Sequence, residues 1–294
     1  MLKATIRIQT FALLGLLSAV AIPHGFAAPP DEQAIGEALI QRGKRLYAIY
    51  CVGCHGAQGG GAGPAAYGLN PKPRDLTSGV FKFRSTPSGF LPTDSDIRRT
   101  IRQGIPGSSM PGFPLIPEPD VDALTLYLKT FSEKWQDPGA FASPIPVVEA
   151  PVDFERREEW LARAAKGATL FTPLCSSCHG EEGKGDGPAG AALVDNWGHP
   201  AKPKNLTLPF VGGGYELYDV YRSLTTGLDG SPMVSYNASY SEEQRWDLVA
   251  YIHFLRERRV DPSLTLPNLA NLPSSEEAVE PEPEAATEDI SIYE

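Results

Sequence analysis

The sequence repeats at a spacing of about 124 residues, which commits the chain to two units built on one plan. Gly43-Lys44-Arg45-Leu46-Tyr47 returns as Gly167-Ala168-Thr169-Leu170-Phe171. Gly56, Gly59, Gly61, Gly63 and Pro64 return as Gly180, Gly183, Gly185, Gly187 and Pro188. Lys72-Pro73-Arg74-Asp75-Leu76-Thr77 matches Lys202-Pro203-Lys204-Asn205-Leu206-Thr207 after a short insertion in the second copy. Gly107-Ser108-Ser109-Met110 matches Gly230-Ser231-Pro232-Met233, and Leu124 to Tyr127 matches Leu248 to Tyr251. Each copy also holds a Cys-x-x-Cys-His run: Cys51, Cys54 and His55 in the first, Cys175, Cys178 and His179 in the second. A chain of 294 residues has room for two units of ordinary domain size.

The chain has four cysteines, and all of them lie in these two runs. Two disulfides, a pair of redox dithiols or a shared zinc site would each use such cysteines. None of these explains a histidine directly after the second cysteine in both copies. Covalent attachment of a c-type haem does. The two thiols form thioethers to the porphyrin vinyl groups, and the adjoining histidine reaches the iron. The expectation is two haem c groups, one per copy, with His55 and His179 as proximal iron ligands. Three methionines occur, and Met1 belongs to the leader. Met110 and Met233 stand in register in the two copies, each after a short expected helix and before the last one. They are the sixth ligands that a resemblance of each copy to class I cytochrome c domains implies. His199, inside the insertion of the second copy, is the competitor to Met233. His253 is expected to be structural or exposed.

Helical periodicity and capping signals place helices at about 32–50, 94–103 and 120–132 in the first unit. The second has them at about 154–171, 215–226 and 242–258. Thr93 precedes one as an N-cap. Ser241 with Gln244 makes a capping box at the start of another. No strand pattern stands out. Residues 1–27 read as a secretory signal, with Lys3 and Arg7 ahead of an apolar run and small residues before the expected cut. Residues 28–136 and 154–260 are the two expected domains, with 137–153 as linker and 261–294 as a Pro-rich, then acidic, disordered tail. Net charge is −10, and eight acids fall in the last 24 residues with no Lys or Arg among them. That balance excludes nucleic acid, DNA or RNA, as a partner. The acidic tail is expected to be dispensable for folding and haem loading.

With these residues in place, each half resembles a class I cytochrome c domain, and the chain is similar to diheme cytochromes c. The resemblance implies a mainly α fold, two tandem class I cytochrome c domains, each a small helical fold wrapped around one covalent haem c. It implies that Gly43 faces Tyr127, and Gly167 faces Tyr251, where the first and last helices of each unit cross. It implies that the carbonyls of Pro64 and Pro188 accept the proximal histidine N–H. Lys72, Arg74, Lys202 and Lys204 are expected either to neutralise haem propionates or to form a solvated face. The segment 73–113, including Phe81-Lys82-Phe83-Arg84, is similar to cytochrome c domains that accompany respiratory oxidoreductase complexes. The functional expectation is a periplasmic electron carrier, or the cytochrome subunit of a membrane-bound or periplasmic oxidoreductase. Its partners are then redox proteins. The alternative is a diheme enzyme, such as a peroxidase or a thiosulfate-oxidising enzyme.

Overall fold

The computed structural model describes residues 32–271 apart from 210–212 and 215. The expected signal segment at 1–27 and the acidic stretch beyond 271 lie outside the described residues. In the first half α1 (Glu32–Tyr50) runs into the one-turn α2 (Val52–His55), followed by α3 (Asp94–Gln103) and α4 (Glu118–Lys129). The second half repeats the order with α5 (Arg157–Leu174), α6 (Ser176–His179), α7 (Leu217–Thr226) and α8 (Glu242–Val260). Among the described residues there is no strand; one isolated antiparallel bridge joins Val194 and Pro200. The fold is mainly α, as expected.

Local chemistry sets the helix ends. Thr93 accepts from the backbone N–H of Asp96 while the Asp96 carboxylate takes the Thr93 N–H, and Gly104 at φ 66° ends α3. The Ser241–Gln244 box starts α8, and Gly227 at φ 70° stops α7. The helix expected at 120–132 begins earlier, at Glu118, and ends at Lys129. Ser132 instead caps a separate short turn, Glu133–Gln136, because its hydroxyl is better placed outside a helix than inside one.

In each half the first helix crosses the last at a glycine. A Cβ on Gly43 would lie 2.0 Å from the Ala123 carbonyl oxygen and 2.7 Å from the Cβ of Tyr127. A Cβ on Gly167 would lie 2.0 Å from the Asp247 carbonyl oxygen and 2.9 Å from the Cβ of Tyr251. Only glycine lets the two backbones come this close. Around these crossings lie two apolar cores. Tyr47, Ile97, Ile101, Leu124 and Trp135 build the first. Phe171, Tyr221, Leu224, Trp246 and Val249 build the second.

A third cluster joins Trp160 and Ala164 of α5 to Phe254 and Leu255 of α8, and Leu264 is buried in it. This corrects the expectation of a disordered tail from residue 261. Residues 261–271 are placed, because Leu264 and Leu266 cap an apolar patch that α5 and α8 leave uncovered. His253 sits in the same region, its ring 4.7 Å from Trp160 and 5.4 Å from Phe154. Its role there is packing.

The halves are joined by more than a tether. The stretch 137–153 contributes Ala140 to the first core and Val147, Val148 and Ala150 to the second. Its backbone bonds both: Leu91 N–H donates to Ala140 O at 2.9 Å, and Ile145 N–H to Ser85 O at 2.8 Å. The Arg84 side chain is fully buried and meets Asp229 of the second half at 2.8 Å. It also donates to the Thr226 carbonyl at 2.7 Å. Ser88 Oγ and Gly89 N–H bond the same Asp229 carboxylate.

Two glycines of α1 provide a matched test of the crossing. Gly43→Ala should destabilise the holoprotein by about 3 kcal/mol, from overpacking against a backbone carbonyl. Gly36, in the same helix, has open space where a Cβ would point, with nothing within 4 Å. Gly36→Ala should therefore be neutral or stabilise by about 0.5 kcal/mol. Thermal unfolding followed by circular dichroism reads both, and equal effects would refute the crossing argument. Leu264→Ala should cost about 2 kcal/mol in the same assay; no loss would return residues 261–271 to the status of a tail.

Candidate haem sites

The proximal side of each site is built where the first helix runs out. α1 ends at Tyr50, and Cys51 opens the single turn α2, which carries Cys54 and His55. The glycine-rich loop then folds back over that turn: Gly61 N–H donates to His55 O, Gly63 N–H to Cys54 O and Ala65 N–H to Gly53 O. The second half makes the same three bonds from Gly185, Gly187 and Ala189. Gly63 has to be glycine, since a Cβ there would lie 2.5 Å from two carbonyl oxygens of α2.

His55 Nδ1 donates to the Arg74 carbonyl at 3.0 Å, and His179 Nδ1 to the Lys204 carbonyl at 3.1 Å. A carbonyl only accepts, so Nδ1 carries the proton and Nε2 keeps its lone pair. This corrects the assignment of that role to Pro64 and Pro188. The Gly63–Ala65 and Gly187–Ala189 steps close the loop onto α2 and α6. The chain passes the histidine ring only later, where Gly61 and Gly185 lie against the carbonyls of Pro73 and Pro203.

The distal side is a tight loop after α3 and after α7. Ile105 N–H donates to Met110 O at 3.0 Å, and Leu228 N–H to Met233 O at 2.9 Å. Ser108 N–H bonds Ile105 O, and Ser231 N–H bonds Leu228 O. The two methionines are thus held in one local geometry. In the first half Cys51, Cys54, His55 and Met110 line a single cavity with apolar walls that include Ile97, Leu124 and Leu128. In the second half Met233 and Tyr236 pack against the core cluster that contains Cys175. His199 lies on an exposed turn closed by Asp195, with Nδ1 3.6 Å from the Asp195 carboxylate.

The electrostatics suit a neutral ligand set. Burial holds the His55 and His179 imidazoles below the usual histidine range, which keeps them uncharged. Burial first, and the neighbouring cysteine second, pushes Cys51 and Cys175 up to about 11. Thiols raised this far are poor thiolates, which disfavours redox-dithiol chemistry. Among the described residues no group of three or more His, Cys, Asp or Glu is placed to hold a metal ion. Paired free thiols, a neighbouring imidazole with a fixed tautomer and an apolar cleft ending at a methionine fit haem c.

Of the four cations noted in the repeat, Lys72, Arg74 and Lys204 line the first cavity. Lys72 Nζ donates to the carbonyls of Ala66 and Tyr67. The Arg74 guanidinium lies 4.2 Å over the Trp197 ring, and Lys204 Nζ donates to Gly107 O at 2.7 Å. Lys202 is exposed. Sequence reasoning noted the Phe81–Arg84 segment but gave Lys82 and Arg84 no role of their own. Lys82 lines the first cavity, and burial, with Arg74 adding to it, pushes its ammonium down to about 8. The available signal was length: the stretch from Thr77 to α3 is longer than its counterpart from Thr207 to α7, and the surplus holds Phe81 to Arg84.

Comparison with known proteins agrees with this geometry. Residues 164–256 match the family model described as cytochrome c. Residues 38–128 match that of cytochrome C oxidase, cbb3-type, subunit III. The cytochrome bc1 complex cytochrome c subunit of Mycobacterium bovis is 26% identical over 250 residues, covering 84% of this chain and 74% of that protein. The subunit of the same description from Corynebacterium diphtheriae is 26% identical over 240 residues, covering 78% and 70%. A solved chain of the reducing HAO-like protein complex of Kuenenia stuttgartiensis is 39% identical, with a TM-score of 0.66, covering 73% of this chain and 96% of that one. The chain belongs to the cytochrome c family, with two cytochrome c domains in tandem.

Proposed function

We propose that this cytochrome binds two haem c groups, through Cys51 and Cys54 in the first half and Cys175 and Cys178 in the second. His55 with Met110, and His179 with Met233, are the axial pairs. The carrying observation is the doubled geometry: one histidine with its tautomer fixed by a carbonyl, and one methionine on a bonded loop, in each half. The exposed turn and Asp195 contact of His199 favour Met233 over it as sixth ligand. When bound, haem c supplies a one-electron couple, and a His–Met pair raises its potential and leaves no open coordination position.

The residues then act as holders. His55 and His179 are kept neutral and oriented by the Arg74 and Lys204 carbonyls. Met110 and Met233 close the other face. The apolar walls exclude water and limit reorganisation when charge changes. The chain transfers electrons, working outside the cytoplasm between redox proteins, either as a soluble carrier or as the cytochrome subunit of a respiratory oxidoreductase. The bc1-complex subunits and the HAO-like complex chain among its relatives support the subunit form. Among the described residues no helix is long and apolar enough to cross a membrane.

The purified protein should gain the mass of two haems and keep haem stain on denaturing gels; one haem or none refutes the pairing. Met110→His and Met233→His should each remove part of the far-red sulfur-to-iron band and lower one midpoint potential, while His199→Ala leaves both unchanged. If Met233→Ala leaves the spectrum intact and His199→Ala alters it, the second site is bis-histidine. The fully reduced protein should bind carbon monoxide slowly or not at all and exchange electrons rapidly with small mediators. Fast binding together with turnover of peroxide or thiosulfate would make it an enzyme instead.

A further inference from the structure

The position after the proline of the Lys-Pro-x repeat does two jobs in both halves. Lys204 gives its backbone carbonyl to His179 of its own unit. Its side chain leaves that unit, lines the cavity of the first and bonds the Gly107 carbonyl at 2.7 Å, three residues ahead of Met110. Arg74, its counterpart, gives its carbonyl to His55 and reaches the opposite way. Its guanidinium lies against Gly230, three residues ahead of Met233. A Cβ on Gly230 would stand 2.8 Å from Arg74 Nη1 and 2.6 Å from the Trp197 ring on which Arg74 stacks.

The exchange is not symmetric in strength. The Gly230 carbonyl accepts from a backbone donor of its own unit, Asn196 N–H at 3.1 Å. Asn196 and Trp197 belong to the insertion that the first unit lacks. The Gly107 carbonyl has the Lys204 ammonium from the other unit in that place. Gly107 itself is exposed and at φ 70°, in a loop with no helical ladder to hold it. The Gly230 carbonyl is therefore satisfied from within its own unit, and the Gly107 carbonyl from across the interface.

We infer that Lys204 is a positioning residue for the first haem's distal ligand, acting between units: its ammonium holds the Gly107 loop so that Met110 stays on the iron. This rests on the reading of Met110 and Met233 as axial ligands. The inference gives the six-residue insertion a role other than supplying His199 as a ligand: through Asn196 it gives the Gly230 carbonyl a donor within its own unit. A charge-assisted bond to one carbonyl is modest on a partly exposed side chain. It nevertheless acts on a loop whose displacement competes directly with methionine ligation.

The test uses full-length holoprotein in two backgrounds. With Met233→His, the far-red band reports Met110 alone; with Met110→His, it reports Met233 alone. Lys204→Met keeps the carbonyl to His179 and removes the ammonium. In the first background it should weaken the band, lower that site's midpoint potential and let imidazole displace Met110 several-fold more readily. Lys204→Arg should restore all three. In the second background Lys204→Met should leave the Met233 band and its imidazole affinity unchanged. No change at the first site, or equal change at both, overturns the inference while leaving the ligand assignment standing. If Met110→His alone leaves the band intact, the ligand assignment fails and the inference falls with it.

Discussion

The crossing of the first and last helix of each unit at Gly43 and Gly167 sets every other distance in the molecule. α1 and α5 run into the one-turn helices that carry the second cysteine with His55 or His179, so their axes decide where those side chains point. α4 and α8 form the wall that faces the site. Removing one Cβ at each crossing brings backbone carbonyls within reach of a glycine Cα and leaves the aromatic rings of Tyr127 and Tyr251 to fill the margins. The α3 and α7 helices then have a fixed surface to pack on, and the methionine loops that follow them hang at a set height. The proposed haem ligation needs this: His55 or His179 comes from a one-turn helix, and Met110 or Met233 from a loop far along the chain. Only a rigid frame keeps the two opposed.

Within that frame the loops do the fine adjustment. The bonds from Gly61, Gly63 and Ala65 back onto α2 leave the histidine ring no backbone freedom. The carbonyl after Pro73 or Pro203 then fixes its tautomer. Burial raises the thiols and keeps the imidazoles neutral, so the cleft presents soft, uncharged donors. This suits a tightly held redox group and ill suits a free metal ion or a reactive thiolate.

The two units differ where they touch. Unit one carries extra residues between Thr77 and α3, and from them Arg84 is buried against Asp229 and the end of α7. Unit two carries extra residues ahead of Lys202, and from them Trp197 and Asn196 cover the Gly230 loop. Each insertion thus meets the other half, and the repeat is least regular at the interface. A buried arginine with its carboxylate partner on the other half gives that interface a specific register, since either charge alone would be costly to bury.

The sequence by itself determined much of this. The doubled Cys-x-x-Cys-His and the capping signals at Thr93 and Ser241 are local patterns whose meaning depends on neighbours a few residues away, while the repeat register matched Met110 to Met233 and the family resemblance pointed to the crossing glycines. Helix existence followed from the same short-range logic, and the end of α4 was missed by three residues where Ser132 caps a separate turn. What only the tertiary structure decided are contacts between residues far apart with no periodic signature. The carbonyl that orients each histidine belongs to Arg74 or Lys204 rather than to the first proline, because loop closure, not spacing, determines which carbonyl passes the ring. Leu264 docks because α5 and α8 expose a patch that no single helix reveals. Arg84 with Asp229, and Lys204 with Gly107, exist because two folded surfaces meet, and that complementarity is a property of shape and charge in space rather than of order along the chain.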